Sequence, residues 1–152
     1  MLVALVMVVI WAYPVFRGLR YHFFDRACAF GDDDGVKMLL ELGADPDGNR
    51  DYAQYVKYVA AIEPTAPIFQ AAWNGDTNVM SLLSAAHANP NIVDGEGDLT
   101  PLAVAVMHGH AEAARLLREA GARLDLPDGH SIIDLADQHG YTNIAAELQQ
   151  SK

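Results

Sequence analysis

Thr100-Pro101-Leu102-Ala103-Val104-Ala105-Val106-Met107-His108-Gly109-His110, followed by Arg115-Leu116-Leu117 and Glu119-Ala120-Gly121-Ala122, is the stretch that decides the fold. A threonine oxygen can accept from the unpaired N–H groups of a helix start. Proline at the first turn loses no hydrogen bond, because that N–H has no partner inside the helix. A helix is therefore expected from Pro101. It should stop at Gly109, since glycine takes a left-handed conformation without Cβ strain, and His110 then opens a second helix. The same grammar recurs as Ala66-Pro67-Ile68-Phe69-Gln70-Ala71-Ala72-Trp73-Asn74-Gly75-Asp76, with Leu82-Leu83 and Asn91 after it. Gly75 to Gly109 and Leu83 to Leu117 are both 34 residues, so two independent landmarks give one period. Weaker copies flank these: Ala27-Cys28-Ala29-Phe30-Gly31 with Val36 to Asp45 upstream, and Ser131 to Ala136 with Gly140 to Leu148 downstream. Small residues such as Ala71, Ala72, Ala103 and Ala105 let helices approach, while Leu82, Leu83, Leu116 and Leu117 supply bulk to a shared core.

This pattern resembles the ankyrin repeat, in which a T-P-L-H-x-A opening leads into two short antiparallel helices with a period of about 33 residues. The resemblance covers roughly residues 22–150 and divides the chain into a hydrophobic leader, 1–20, and an ankyrin-repeat domain, 21–152. Repeats are expected at about 22–47, 65–98, 99–130 and 131–150, with an insertion at 48–64. The first has lost its opening, because His22-Phe23-Phe24-Asp25 stands there, as an atypical terminal unit can. The resemblance implies an all-α solenoid of helix-turn-helix units with an N-terminal hydrophobic helix. It also implies a protein-protein interaction module that binds through a concave surface of first helices and finger loops. Mapped onto this chain, that surface offers Trp73, Asn74, Met107 and His108, with Asp47, Asn49, Arg50, Val93, Asp94, Glu96, Asp98, Leu126 and Asp128 from the fingers. Trp73 stands where arginine or lysine is usual in the family, which marks it as an interface anchor; packing against the insertion is the other account. In the insertion, Tyr52, Tyr55 and Tyr58 are a further contact element, or else pack on their own repeats.

Charge bounds the partner. Ten Lys and Arg against twenty Asp and Glu give a net −10. Such a surface repels phosphate backbones, so nucleic acid is excluded and a protein with a basic contact surface is expected. The single Cys28 excludes an internal disulfide and reads as a small buried hydrophobe.

Met1 to Phe16 contains no charged residue, and Arg17 and Arg20 follow. Sixteen residues fall between the length of a signal-peptide core and the ~20 that span a bilayer. The leading expectation is a single-pass membrane anchor through residues 1–16, with aromatic Trp11, Tyr13 and Phe16 at the interface and a cytoplasmic repeat domain. A cleaved signal with a periplasmic or secreted domain is the second reading, and a helix that packs on the solenoid or on a partner is the third.

Chemistry is not expected. His108-Gly109-His110 has no cysteine or carboxylate at a recognisable ligand spacing. Asp94-Gly95-Glu96-Gly97-Asp98 lacks the register of a calcium loop and reads as a finger, and Asp32-Asp33-Asp34 reads as helix capping. No nucleophile elbow, phosphate loop or dinucleotide fingerprint occurs, so neither an enzyme nor a cofactor is expected. Besides the interaction module, two other functions fit: an inhibitor or immunity-type protein masking a basic enzyme site, and a structural subunit of a membrane complex.

Overall fold

The computed structural model of the protein describes residues 14–48, 66–93 and 99–150. Among these lie eight helices: α1 Pro14–Phe30, α2 Asp33–Glu41, α3 Pro67–Asn74, α4 Thr77–Ala85, α5 Pro101–Met107, α6 Ala111–Glu119, α7 Ile132–Gln138 and α8 Thr142–Gln150. One isolated antiparallel bridge, Asp125 to Ser131, accompanies them.

Helix starts follow the local chemistry. Pro67 and Pro101 open α3 and α5, and the Thr100 hydroxyl accepts from Ala103 N–H at 3.3 Å. Ser131 caps α7 in the same way, accepting from Ile133 N–H. Asp32 and Asp76 cap α2 and α4, accepting from Gly35 and Val79 N–H, while Asp33 and Asp34 sit in the positive first turn of α2. His110 departs from this rule: it precedes α6 without capping it, because its ring reaches into the previous repeat instead.

The turns carry the repeat. Gly31, Gly75, Gly109 and Gly140 all have left-handed φ, between 66° and 80°. After each, the next N–H returns to an alanine carbonyl: Asp32 to Ala27, Asp76 to Ala71, His110 to Ala105 and Tyr141 to Ala136, all at 2.8–2.9 Å. Four copies of one hydrogen bond define four helix pairs. The second helices close likewise, with Ala44, Ala88 and Ala122 N–H returning to Leu39, Leu83 and Leu117.

The pairs stack in two layers. First helices pack in succession, α1 on α3, α3 on α5 and α5 on α7, and second helices do the same, α2 on α4, α4 on α6 and α6 on α8. Between them runs one continuous core, from Phe24 and Cys28 through Ile68, Leu83, Leu102 and Leu117 to Ile132 and Leu148. No single pair could bury these faces alone.

At the N-terminus the expectation is corrected. Among the described residues no helix is long and apolar enough to cross a membrane. Pro14, Val15 and Phe16, the last residues of the uncharged run, are the first turn of α1, which continues through Arg17, Arg20, His22, Asp25 and Arg26. Its far half is amphipathic and buries Tyr21, Phe24 and Cys28 as a first repeat helix. Residue 20, the expected end of the leader, lies inside this helix, and the single-pass membrane anchor is not supported by any described helix. Residues 1–13 lie outside the described residues.

Candidate protein-binding surface

Each first helix ends in two residues just ahead of its turn glycine: Ala29-Phe30, Trp73-Asn74, Met107-His108 and Gln138-His139. The turn fixes their direction, and the stack sets them side by side. Trp73 is 60 % exposed, and its ring centroid lies 4.0 Å from that of His108, at an interplanar angle of 49°. The Trp73 carbonyl oxygen lies 3.0 Å from His110 Nε2, so its backbone is tied to the next repeat. His108 stacks in turn over His110, with centroids 6.1 Å apart.

Glycine makes this interlock possible. A Cβ on Gly75 would sit 2.5 Å from His110 Nδ1, and one on Gly109 would sit 2.8 Å from the Tyr141 ring. Each turn thus leaves a notch that the next repeat fills with the residue opening its second helix. The Gly31 notch is filled the same way by the Asp76 carboxylate.

Asn74 is exposed, but its Nδ2 donates to Ala29 O at 3.0 Å. It is therefore a staple between the first two repeats as well as a surface group. Met107 is half-buried beneath the row and His108 is exposed.

The finger residues separate into two kinds. Asp47 is half-buried, and its Oδ1 accepts from Asn89 N–H at 2.6 Å. Asn91 occupies the same place one repeat later: its Oδ1 accepts from Arg123 N–H at 2.8 Å, and its Nδ2 donates to Gly121 O at 3.1 Å. These two side chains hold successive fingers together. Asp128 holds its own loop, accepting from His130 N–H at 2.9 Å and pairing with His130 Nδ1 at 2.8 Å. The hydrogen bond from the His130 ring keeps the Asp128 carboxyl below its ordinary value and raises the imidazole above its own. Leu126 is half-buried against the core, whereas Val93 is 41 % exposed. Asn49, Arg50, Asp94, Glu96, Asp98, Tyr52, Tyr55 and Tyr58 lie outside the described residues.

The sequence-based set lacks the most exposed of the large hydrophobic side chains among the described residues. Phe30 is 74 % exposed, with the Arg26 guanidinium 5.2 Å from its ring centroid. It precedes Gly31 as Asn74 precedes Gly75 and His108 precedes Gly109, so the register alone could have found it. Earlier in the same helix, Asp25 stands where the repeat's opening would place an apolar or histidine side chain, and burial pushes its carboxyl up to about 6. Burial, then the Asp25 and Asp76 charges, push the Cys28 thiol up to about 12, which leaves it protonated and unreactive. Among the described residues no group of three or more histidine, cysteine or carboxylate side chains could hold a metal ion.

Comparison with known proteins agrees with this geometry. Residues 68–152 match the family model for ankyrin repeats in three copies. The rat cyclin-dependent kinase 4 inhibitor B is 33 % identical over 124 residues, covering 80 % of this chain and 86 % of the relative. The human cyclin-dependent kinase inhibitor 2A is 32 % identical over 125 residues, 81 % of this chain and 72 % of the relative. Protein PhlB of Serratia liquefaciens is 36 % identical over 95 residues, 62 % of this chain and 37 % of the relative. The family match and the four identical turns lead to one assignment: the chain belongs to the ankyrin-repeat family.

Proposed function

We propose that this protein binds another protein through the row of side chains ahead of its turn glycines, with Trp73 and Phe30 as anchors and His108 as the support of the Trp73 ring. The observation that carries this reading is the pair of exposed aromatic side chains on adjacent repeats, Phe30 at 74 % and Trp73 at 60 %. Large aromatics held rigidly at a surface are what interface hot spots are made of. Trp73 loses less freedom on binding because the His108 ring already packs against its own and its backbone is tied to His110.

The partner's contact surface is basic. The chain carries twenty acidic against ten basic side chains, and the finger sequence between the second and third repeats adds Asp94, Glu96 and Asp98 within five residues. Charge of this sign steers a cationic surface toward the array.

Relatives named as cyclin-dependent kinase inhibitors, matched over most of their length, support a narrower reading. In it the partner is an enzyme, and the array acts by covering its working surface rather than by chemistry of its own.

A photo-crosslinking amino acid placed at Trp73, at Phe30 and, on a second helix, at Ser81 tests the site. Capture of the same basic protein from Trp73 and Phe30, and none from Ser81, is the expected result. Capture from Ser81 alone would move the site to the second-helix layer.

A further inference from the structure

The seam between the first and second repeats is rich in carboxylates. Across it, Asn74 Nδ2 donates to Ala29 O at 3.0 Å, Asn78 Nδ2 to Asp33 Oδ2 at 2.9 Å and Asn89 N–H to Asp47 Oδ1 at 2.6 Å. In each of these bonds the first repeat is the acceptor. The second Asp33 oxygen, Oδ1, is buried with no hydrogen-bond partner, and the Asp76 carboxylate fills the notch at Gly31. The next seam is made differently: a histidine ring fills its notch at Gly75, and Asn91 both donates and accepts across it.

Asp25 adds a carboxylate that nothing holds. It is in register with Phe69 and Ala103, which are buried in the core. One turn later on α1 stands buried Cys28, whose thiol is held up by burial and then by the charges of Asp25 and Asp76. Among the described residues no hydrogen bond or ion pair reaches the Asp25 carboxylate. Helix α3, packed on α1, has no charged residue, and neither has α4. Helix α2, also packed on α1, carries Asp33, Asp34, Lys37 and Glu41; Asp33 is tied to Asn78 and the other three are exposed. Asp76 caps α4 through Val79 N–H. On α1 itself Arg17 and Arg20 stand earlier in the helix, His22 is exposed, and Arg26 lies over Phe30. Burial without a partner favours the neutral acid and pushes the Asp25 carboxyl up to about 6. Once ionised, the group regains its hydration only if the helices around it part.

We propose that Asp25 makes this seam a pH-sensitive latch: with its carboxyl protonated the α1–α2 pair stays packed on α3–α4, and on losing the proton the pair opens so that water reaches the carboxylate. The opened pair does not keep its own fold, because one repeat alone cannot bury its faces. The closed seam is fully favoured below about pH 4 and loses that advantage as pH rises through about 6. The latch stands apart from the reading of Phe30 and Trp73 as anchors, and its test uses no partner.

Hydrogen exchange of the full chain, corrected for the intrinsic pH dependence of amide exchange, reads the open population helix by helix. Protection in α1 and α2 should fall roughly tenfold between pH 5 and pH 7, while that in α5 and α6 changes by less than about twofold. Asp25→Asn should remove the fall, and Asp34→Asn, at an exposed carboxylate on α2, should keep it. An equal fall in α5 and α6 would overturn the proposal, since the opening would then be global. A fall that survives in Asp25→Asn would overturn it as well. Should that variant not fold, carboxyl-carbon NMR of the parent decides: loss of the Asp25 proton should track the loss of α1–α2 protection, and its titration with protection unchanged would overturn the latch.

Discussion

At the scale of the residue, three positions carry more than their type suggests. His87 is the one non-glycine with positive φ among the described residues, at 64°, and it stands where the flanking repeats place Gly43 and Gly121. A left-handed side-chain residue is strained by roughly 1–2 kcal/mol. His87→Gly should therefore stabilise the protein by ~0.5–1 kcal/mol after glycine's greater freedom in the unfolded chain is subtracted, as urea melts would show. Asp25 is the second. Its folded carboxyl is raised from 3.8 to about 6 by desolvation, so the folded chain holds this proton more tightly than the unfolded one. The stability linked to that proton is fully present below about pH 4 and is lost as pH rises through about 6. Asp25→Asn should raise stability at pH 7 by ~1–3 kcal/mol relative to the parent. The advantage should shrink toward pH 4, and melts of the two chains across that window measure it. Leu117 is the third, fully buried in the seam between repeats. Leu117→Ala should cost ~2–5 kcal/mol, whereas Glu112→Ala, at an exposed ion pair with Arg115 on the same helix, should leave the melt near the parent's.

At the scale of the element, the structure shows a second role for a residue. The sequence places Asp47 among the finger contacts for a partner. Its carboxylate also ties two fingers through Asn89 N–H, as Asn91 ties the next two through Arg123 N–H and Gly121 O. Removing a side chain that satisfies two backbone groups of a neighbouring turn leaves both to find water. Asn91→Ala should therefore cost ~1–3 kcal/mol in stability and loosen the finger after α6, which amide exchange around Arg123 would register. Helix starts and turns were legible because proline, threonine and glycine act within a few residues of themselves. The finger ladder was not, since each of its bonds joins residues at least 30 apart.

At the scale of the whole molecule, the proposed mode of binding divides the work between net charge and the aromatic row. Charge acts at a distance and is screened by salt, so association with a basic partner should slow as ionic strength rises. Asp94→Lys with Glu96→Lys should lower the on-rate and flatten its salt dependence. Trp73→Ala should leave the on-rate nearly unchanged and speed release, since buried anchors act on dissociation. Surface-immobilised kinetics at two salt concentrations separate the two. An unchanged on-rate in the first variant together with an unchanged off-rate in the second would remove the row and its fingers as the binding site.

The sequence by itself determined the repeat: its period, the helices at Pro67 and Pro101 and the left-handed turns at four glycines, together with the net acidic charge. These are local or additive properties, carried by single residues or their sum. Only the tertiary structure decided which surface residues are free and which are engaged. It drew Asp47 and Asn74 into bonds between repeats and set His108 against the Trp73 ring. It also made Pro14 to Phe16 the first turn of a repeat helix, where sequence read alone continued them into a membrane anchor. Hydropathy is counted along the chain, but burial depends on what lies across the next turn, and that neighbour is supplied by the stack.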